Sequence, residues 1–328
     1  MINIAILGTG KIIPEAIDAM QASKKFHVAN IWARPHSRDK AAALVEKFHV
    51  DKFTTDLDEI LNDPSIDFVY VGLINSVHYE YAKKFLEAGK NVIVEKPFTS
   101  TAAQAKDLID LALSKNLYLF EAITTLHLPN FYAIRDALPE LGNIKIVRCN
   151  FSQYSSRYDA YKRGEVAPAF DPKLFGGALM DLNIYNLNFV VALFGMPKRV
   201  FYFANRGWNG VDTSGIVTLA YENFIAQCTA AKDSESLPLL GIQGENGYIA
   251  VHDTPNELRI FALALRGKED VKIFSLNKYK HRMIHEFVEF GETFERGDYS
   301  AVKRGLKISY NVMKVTESAA KSSGIVYG

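Results

Sequence analysis

The sequence predicts two domains: an α/β N-terminal domain built on a doubly wound parallel sheet, and an α+β C-terminal domain built on a large, mostly antiparallel open sheet. Short β-branched runs alternate with helical, charge-rich segments up to residue 122, which is the order of a parallel sheet with crossover helices. Later strand runs are longer and hairpin-like breaks separate them. The 328 residues suffice for both domains, which we place at 1–122 and 123–328.

The N-terminal elements follow one another in regular order. The predicted strands are 2–7 (INIAIL), 28–33 (VANIWA), 53–55 (FTT), 68–73 (FVYVGL), 91–96 (NVIVEK) and 117–122 (LYLFEA). The predicted helices are 37–48, 76–89 and 101–116. Ligands of open parallel sheets bind at the carboxyl ends of the strands. Side chains that follow these strands are therefore candidates for a binding site.

The C-terminal domain has a different pattern. Its predicted strands are 143–154, 199–207, 215–231 and 247–252, and its predicted helices are 175–194, 283–297 and 301–320. Strand runs such as VFYF and IAQCTAA carry apolar residues on both faces, so both faces of the sheet need a cover. Helices of the domain cover one face, and a second subunit or an additional helix covers the other. We therefore expect a homodimer or homotetramer.

Composition and charge narrow the class of protein. Lys and Arg number 38 against 37 Asp and Glu, which gives no basis for binding nucleic acid or a membrane surface. The longest apolar run, 189–195, is too short for a membrane helix, and the N-terminus has no room for a signal peptide. Cys149 and Cys228 are too few for a disulfide framework. We therefore expect a cytoplasmic protein. His281 and His285 lack a third ligand, so we expect no metal site.

The first βα turn, 4-IAILGTGKII-13, has the features of a dinucleotide site. Gly8 permits a tight turn, and Gly10 lets the backbone approach a pyrophosphate at the N-terminus of the next helix. Lys11 and Ile12 follow in the same turn and belong to the predicted site. The third position of the glycine fingerprint is Ile13. The turn lies directly after a strand and before a helix, which favours a dinucleotide-binding Rossmann domain over a simple loop.

The end of the second strand indicates which dinucleotide binds. An NAD site usually offers Asp or Glu to the ribose hydroxyls at this point, whereas this chain has Arg34 and Arg38. Guanidinium groups suit a 2′-phosphate. We therefore favour NADP(H), and NAD(H) stays open because surface arginines are more often simply solvated.

The fifth strand ends in 95-EKP-97, at the edge where ligands bind. Pro97 restricts its own backbone and that of Lys96 to extended geometry. The backbone of Lys96 is therefore fixed, and its side chain leaves the strand end in a defined direction. Side chains alternate along a strand, and Glu95 therefore points away from Lys96. A lysine placed in this way can polarise a substrate oxygen or stabilise the anion of a nearby acid.

A second group of candidate residues lies on the helix in 175-FGGALMDLNIYNLNFVVALF-194. This helix is apolar nearly all round, which predicts that Asp181 is buried or lines a cleft and that it has a partner. Tyr185 follows one turn later on the same face. A tyrosine there is by itself more often a core aromatic, but together with Lys96 and Asp181 it becomes a candidate acid or base.

These motifs resemble those of the glucose-fructose oxidoreductase/inositol dehydrogenase/MocA (Gfo/Idh/MocA) family. The matching segments follow in the order and spacing of that family over essentially the whole chain: Gly8-x-Gly10, 72-GLINSVH-78, 95-EKP-97, 121-EA-122 and 176-GGALMDLNIY-185. The resemblance implies an NAD(P)-dependent oxidoreductase of sugars or cyclic polyols, with a Rossmann domain and an open-sheet domain that forms dimers or tetramers.

The resemblance also implies roles for single residues. Lys96 matches the catalytic lysine, Asp181 matches the substrate-site aspartate, and Tyr185 is the proposed acid/base of the branch that contains glucose-fructose oxidoreductase and dimeric dihydrodiol dehydrogenase. Further residues match positions along the cofactor: Leu73, Asn75, His78, Glu95, Pro97 and Glu121. The chain departs from the family pattern at the third fingerprint position and at Ile74 and Asn183, where proline and glycine are common.

A mechanism follows as a hypothesis. Hydride leaves the substrate carbon as the phenolate of Tyr185 takes the hydroxyl proton. An ordinary phenol, with a pKa near 10, is a poor base at neutral pH, so the ammonium of Lys96 would have to lower that pKa. Asp181 would hold this lysine or a second substrate hydroxyl.

The loop 154–172 has the composition expected beside a site. Its Arg157, Tyr158 and Lys162 are candidates for substrate recognition, together with His127, although such loop residues are more often solvated. The leading function is an oxidoreductase that transfers hydride between nicotinamide and a secondary alcohol or carbonyl of a sugar, cyclic polyol or dihydrodiol. NAD-assisted glycoside cleavage and a non-catalytic nucleotide sensor are the alternatives.

Overall fold

The chain forms two compact units in the computed structural model, which describes residues 1–327. The first unit comprises Met1–Ala122 together with His281–Tyr310. The second comprises Ile123–Lys280 and the residues from Asn311 to the end of the described chain. The return of residues 281–310 to the first unit was not predicted from the sequence.

The first unit has a six-stranded parallel sheet in the order β3-β2-β1-β4-β5-β6. Its strands are β1 Ile2–Leu7, β2 Phe26–Trp32, β3 Lys52–Thr54, β4 Phe68–Val71, β5 Asn91–Glu95 and β6 Leu119–Ala122. Its crossover helices are α1 Ile13–Ser23, α2 Arg38–Phe48, α3 Asp58–Leu61, α4 His78–Glu87 and α5 Ala102–Ser114. The strand order reverses between β1 and β4, and the predicted doubly wound sheet is confirmed.

The second unit has an eight-stranded sheet in the order β14-β13-β12-β11-β7-β10-β9-β8. Its strands are β7 Ile144–Ser152, β8 Arg199–Arg206, β9 Asp212–Ala220, β10 Ile225–Ala231, β11 Leu239–Gly244, β12 Gly247–Val251, β13 Phe261–Leu265 and β14 Val271–Phe274. Its helices include α6 Pro129–Ala137, α7 Tyr158–Lys162 and α8 Ile184–Phe194. β7 and β10 pair in parallel and the other neighbours are antiparallel, so the predicted mostly antiparallel sheet is confirmed.

Two details of this sheet differ from the prediction. The run 215–231 is a hairpin of β9 and β10, and the rings of Tyr221 and Phe224 stack at 4.3 Å in its turn. Strands β11, β13 and β14 were not predicted from the sequence.

The last two helices are α9 Arg282–Glu295 and α10 Tyr299–Ser323. Helix α9 covers one face of the parallel sheet with aromatic side chains. The Phe287 ring lies 5.9 Å from that of Phe26 on β2, and the Phe290 ring stacks on Phe120 of β6 at 4.5 Å. Burial of such rings is worth about 1.5–3 kcal/mol each. This explains why α9 belongs to the first unit.

A helix covers one face of the antiparallel sheet. Its first turn, Leu179–Asn183, is a π-helix that continues directly into α8. Asn183 donates from Nδ2 to the Cys228 carbonyl oxygen of β10 at 3.0 Å, and Asn186 donates to the Thr229 carbonyl oxygen at 2.9 Å. Among the described residues, Pro172–Phe194 is the helix that is long and apolar enough to cross a membrane, and 67% of its apolar window is buried inside the protein.

The opposite face of this sheet, the open face, carries exposed apolar side chains. Phe201 and Phe203 on β8 are 44% and 70% exposed, whereas Tyr202 between them is buried against the covered side. The strand registers place further exposed apolar residues on the open face: Ile225, Leu239, Tyr248, Val271 and Ile273. In the described part of the second unit these side chains are exposed, in contrast to the apolar side chains on the other side of the sheet.

Candidate active site

The turn after β1 requires glycine at its first position. Gly8 has φ of +114°, and a Cβ there would lie 2.8 Å from the carbonyl oxygen of Gly72 after β4. A side chain is excluded by both the dihedral angle and the contact. Ile13 fills the space that Gly72 leaves by lacking a Cβ, which explains how an isoleucine replaces the small third residue of the fingerprint.

The same turn fits a dinucleotide pyrophosphate. Gly10 and Lys11 are exposed and Ile12 is half-buried at the N-terminal cap of α1. A Cβ on Gly10 would meet only the Gly72 oxygen, at 3.9 Å, so the space beside the turn is open. The N–H groups of a helix N-terminus favour an anion at this position. These residues would hold the pyrophosphate through the backbone.

Arg34 and Arg38 both lie exposed beyond the end of β2. Arg34 precedes a short 3₁₀ turn, Pro35–Ser37, and Arg38 begins α2 with its guanidinium carbon 5.9 Å from the centre of the Phe53 ring. The chain places two positive charges where the adenosine end of a dinucleotide lies in such folds. Their contact with a 2′-phosphate stays a prediction.

The imidazole of His78 contacts the loops that follow β4 and β5, one with each ring nitrogen. It is buried at the start of α4, with Nδ1 2.9 Å from the Pro97 carbonyl oxygen and Nε2 3.0 Å from the Leu73 carbonyl oxygen. Burial lowers the pKa of this imidazole. Asn75 begins a 3₁₀ turn just before it, and Ile74 has φ of −72°, an angle that a proline would also adopt. The departure at Ile74 therefore leaves the backbone shape intact.

The loop that carries Lys96 is also held by two buried glutamates. Glu95 accepts hydrogen bonds from the Tyr70 hydroxyl and, at 3.1 Å, from the Lys96 N–H. Burial raises the pKa of Glu95. Glu121 on β6 accepts a 3.1 Å hydrogen bond from the Phe98 N–H, and the Lys96–Pro97 peptide bond is cis. Both carboxyl groups thus shape the strand end, and their role beside the cofactor stays a prediction.

Asp181 lies in the π-helical turn and is paired with a lysine that the sequence analysis missed. The Nζ of Lys232 is 2.7 Å from Asp181 Oδ2, and the lysine side chain is 2% exposed whereas that of the aspartate is 31% exposed. Asp181 was predicted to have a partner, and the structure supplies one from the residue that follows β10. The alternation of Cys228, Ala230 and Lys232 puts this lysine on the buried face, which is the signal that could have identified it.

Tyr185 lies in the first turn of α8. Its side chain is half-buried, and its ring centre is 5.7 Å from that of Phe151 on β7. The helix start before it is fixed by Asp212 on β9, whose Oδ2 accepts hydrogen bonds from the Leu179 N–H at 2.6 Å and from the Tyr202 hydroxyl at 2.7 Å. Asp212 was also missed, and nothing in its local sequence marks it.

The four predicted substrate residues have different environments. Arg157 is exposed before α7, and Tyr158 is half-buried against the ring of Tyr161. Lys162 is exposed and pairs with Asp159 at 2.7 Å, so its charge is balanced locally. His127 is half-buried at the end of a 3₁₀ turn. Their contact with a substrate stays a prediction.

Metal binding receives no support from residues 1–327, in which no group of three His, Cys, Asp or Glu side chains is arranged to hold an ion. His281 lies 3.7 Å from Glu15, and His285 lies 3.3 Å from the Arg282 carbonyl oxygen. The two histidines therefore have different partners: His281 lies beside an acid on α1, and His285 lies beside a carbonyl oxygen of its own helix.

The fold and the glycine turn define a dinucleotide-binding protein with a Rossmann unit and an open-sheet unit. Residues 2–122 match the family model of the oxidoreductase family with an NAD-binding Rossmann fold (GFO_IDH_MocA), and residues 137–250 match that of the GFO/IDH/MocA C-terminal domain. The chain belongs to the Gfo/Idh/MocA family, as predicted, and is an enzyme that acts on CH–OH groups with NAD(P).

Several relatives match over most of the chain. It is 32% identical to scyllo-inositol 2-dehydrogenase (NADP(+)) IolU of Bacillus subtilis (strain 168), over 100% of this chain and 98% of that protein. It is 29% identical to D-xylose 1-dehydrogenase (NADP(+)) of Hypocrea jecorina, over 82% of this chain and 76% of that protein.

Solved structures share the fold at lower identity. Levoglucosan dehydrogenase in complex with NADH and levoglucosan superposes with a TM-score of 0.85 at 18% identity, over 98% of this chain and 97% of that chain. KijD10, a 3-ketoreductase from Actinomadura kijaniata in complex with NADP and TDP-benzene, gives 0.81 at 21% identity, over 97% and 98%.

Proposed function

We propose that the protein interconverts a secondary alcohol and a ketone on a sugar or cyclic polyol, with NADP(H) as the preferred cofactor. The observation that carries this proposal is the construction of the Lys96 loop. His78, Glu95 and Glu121 each hold a different part of the backbone around this lysine. A lysine that only served solubility would need no such support. Full-length relatives named as NADP-dependent inositol and xylose dehydrogenases support the substrate class.

The proposed roles of the residues follow from their chemistry. When bound, the cofactor supplies a hydride acceptor. The positive charge of Lys96 favours the phenolate form of Tyr185. This phenolate takes the proton from the substrate hydroxyl and becomes the neutral phenol. Asp181 accepts a hydrogen bond from a substrate hydroxyl. The first unit, with the glycine turn, binds the cofactor, and the second unit, with Asp181 and Tyr185, binds the substrate.

The experiment titrates NADPH and NADH by fluorescence and then screens keto-sugars and keto-polyols for cofactor oxidation. We expect NADPH to bind at least about tenfold more tightly, and inosose-like or keto-sugar substrates to oxidise it. Arg34→Glu should lower NADPH affinity by about tenfold, which is about 1.4 kcal/mol, while NADH affinity stays unchanged. Lys47→Glu, near the far end of α2, is the matched control.

Each alternative predicts a different result. A sensor would bind NADPH and turn over none of the carbonyl compounds. A glycoside-cleaving enzyme would release sugar without net change of the cofactor. A preference for NADH by tenfold would contradict the role of the arginines.

We further propose that the open face is the contact between subunits of a homodimer or homotetramer, and that the protein acts in the cytoplasm. The subunit contact is supported by the exposed rings of Phe201 and Phe203 together with five further exposed apolar side chains on the same sheet face. Phe203→Asp should shift the protein to monomers in light scattering after size exclusion. Val326→Asp, at an exposed apolar position outside the open face, should not. A wild-type monomer at micromolar concentration would contradict the proposal.

A further inference from the structure

Lys232 is a buried lysine that the proposed mechanism does not use. It follows β10 directly, and its backbone is fixed on both sides. Its N–H donates to the Thr213 carbonyl oxygen at 2.8 Å, and its carbonyl oxygen accepts from the Ser155 N–H at 2.9 Å. The side chain is 2% exposed. Because a buried charge is costly without partners, a lysine in this position needs acceptors close to its ammonium group.

Three groups surround the ammonium of Lys232. The Ala169 carbonyl oxygen lies at 2.6 Å, Asp181 Oδ2 at 2.7 Å, and the centre of the Phe170 ring at 4.5 Å. A carbonyl oxygen, a carboxylate and the face of an aromatic ring all attract a cation. The ammonium position is therefore set by partners on two segments, the loop at 169–170 and the π-helical turn.

The ion pair is asymmetric. The lysine is enclosed, whereas the Asp181 side chain is 31% exposed. The buried cation thus lies behind a carboxylate that remains accessible from outside the unit. A carboxylate that is exposed on one side can still accept a further hydrogen bond, and it avoids part of the desolvation cost that a fully enclosed ion pair carries. The π-helical turn around Asp181 is itself a feature that occurs often at functional sites.

A second acid, Asp212, lies near the ammonium of Lys232, and it is bound by the Leu179 N–H and the Tyr202 hydroxyl. Burial raises the pKa of Asp212 to about 6, and the charge of Lys232 is one of the effects that oppose this rise. Tyr185 lies one turn after Asp181 on the same helix.

We propose that Lys232 is a positioning residue: it fixes Asp181 as an oriented carboxylate that accepts a hydrogen bond from a substrate hydroxyl. The expected effect on kinetics rests on the proposed function, whereas the effect of Lys232 on the ionisation and orientation of the Asp181 carboxylate does not. In this role Asp181 is a fixed hydrogen-bond acceptor, and Lys232 in the same unit compensates its charge. The proton transfer is left to Tyr185.

The first test is kinetic and uses Lys232→Met, which keeps the length of the side chain and removes its charge. We expect kcat/KM to fall by about 100-fold, the usual scale for removing one partner of a hydrogen-bonded charge pair, with most of the loss in KM. NADPH affinity should stay within about twofold, since the cofactor is bound by the other unit. Asp181→Asn and the double variant Asp181→Asn/Lys232→Met should be equally impaired, because Lys232 acts through Asp181.

The matched control is Lys198→Met, which removes an exposed lysine paired with Glu222 at 2.9 Å in the same unit. It should behave like the wild type. A Lys232→Met enzyme with control-like kinetics would overturn the proposal. So would a double variant whose losses multiply, because the lysine would then act independently of Asp181.

The second test is independent of turnover. The ¹³C carboxyl signal of Asp181, assigned by its loss in Asp181→Asn, is followed over an acid titration in wild type and in Lys232→Met. Loss of the adjacent cation favours the protonated acid, so the signal should move to the protonated position at a higher pH in the variant. An unchanged titration overturns the proposal. If Lys232→Met does not fold, Lys232→Gln is measured in the same way. A wild type without turnover would refute the proposed function, and this signal would still decide the role of Lys232.

Discussion

Asp212→Asn should flatten the pH dependence of folding stability. Asp212 is fully buried on β9 and accepts hydrogen bonds from the Leu179 N–H and the Tyr202 hydroxyl. Burial raises the pKa of its carboxyl group from 3.8 to about 6. The native state therefore keeps this proton at pH values where the unfolded chain has already released it.

The sign and size of the effect follow from proton linkage. Between about pH 4 and pH 6 the native state binds more protons at this site than the unfolded state, so stability falls as pH rises and levels off above pH 6. A pKa difference of about 2 units corresponds to about 3 kcal/mol. About 2 kcal/mol of this falls between pH 4.5 and pH 7.5. Asparagine keeps the shape and does not titrate.

The assay is equilibrium urea unfolding, followed by tryptophan fluorescence at several pH values in that range. The difference in unfolding free energy, Asp212→Asn minus wild type, should rise by about 2 kcal/mol with pH. Asp136→Asn, at an exposed position, should show a constant difference. A constant difference for Asp212→Asn as well would refute the assignment of a raised pKa to this buried acid.

Further predictions concern the first unit and the last helix. Lys96→Met should abolish turnover and leave NADPH binding largely intact, and near-normal turnover would contradict its role. Gly8→Ala should weaken NADPH binding and lower stability by about 1–3 kcal/mol because of its φ of +114°; fluorescence titration and thermal melting measure both. Gly305→Ala in α10, where a Cβ would meet nothing within 4 Å, should instead raise stability by about 0.5–1 kcal/mol. Phe287→Ala should cost about 3–5 kcal/mol in urea unfolding.

The parallel sheet could be predicted because its signals are local. Each strand run and each crossover helix is readable from ten or so residues, and the glycine turn fixes where the sheet begins. The position of α9 could not be predicted in this way. Its amphipathic pattern shows that it has a buried face, but only the three-dimensional arrangement of Phe26 and Phe120 determines that this face packs on β2 and β6.

The candidate site has signals of different strength. Lys96, Asp181 and Tyr185 were proposed from their positions after a strand and on an apolar helix, and their catalytic roles stay predictions. The π-helical turn at 179–183 was not predicted, and the hydrogen bonds that Asn183 and Asn186 donate to the β10 carbonyl groups join residues more than 40 positions apart, so no local pattern shows them. Lys232 had a weaker signal, since alternation along β10 places it on the buried face and a buried lysine needs an acid.

The return of α9 has a consequence for how the protein is made. The aromatic face that includes Phe26, Phe68 and Phe120 leaves the ribosome early, but the helix that covers it is encoded only after residue 281. The nascent Rossmann unit must therefore persist with an uncovered apolar surface while more than a hundred further residues are synthesised, a state that is prone to aggregation. Truncation of the C-terminal helices would thus damage the cofactor unit at the other end of the chain.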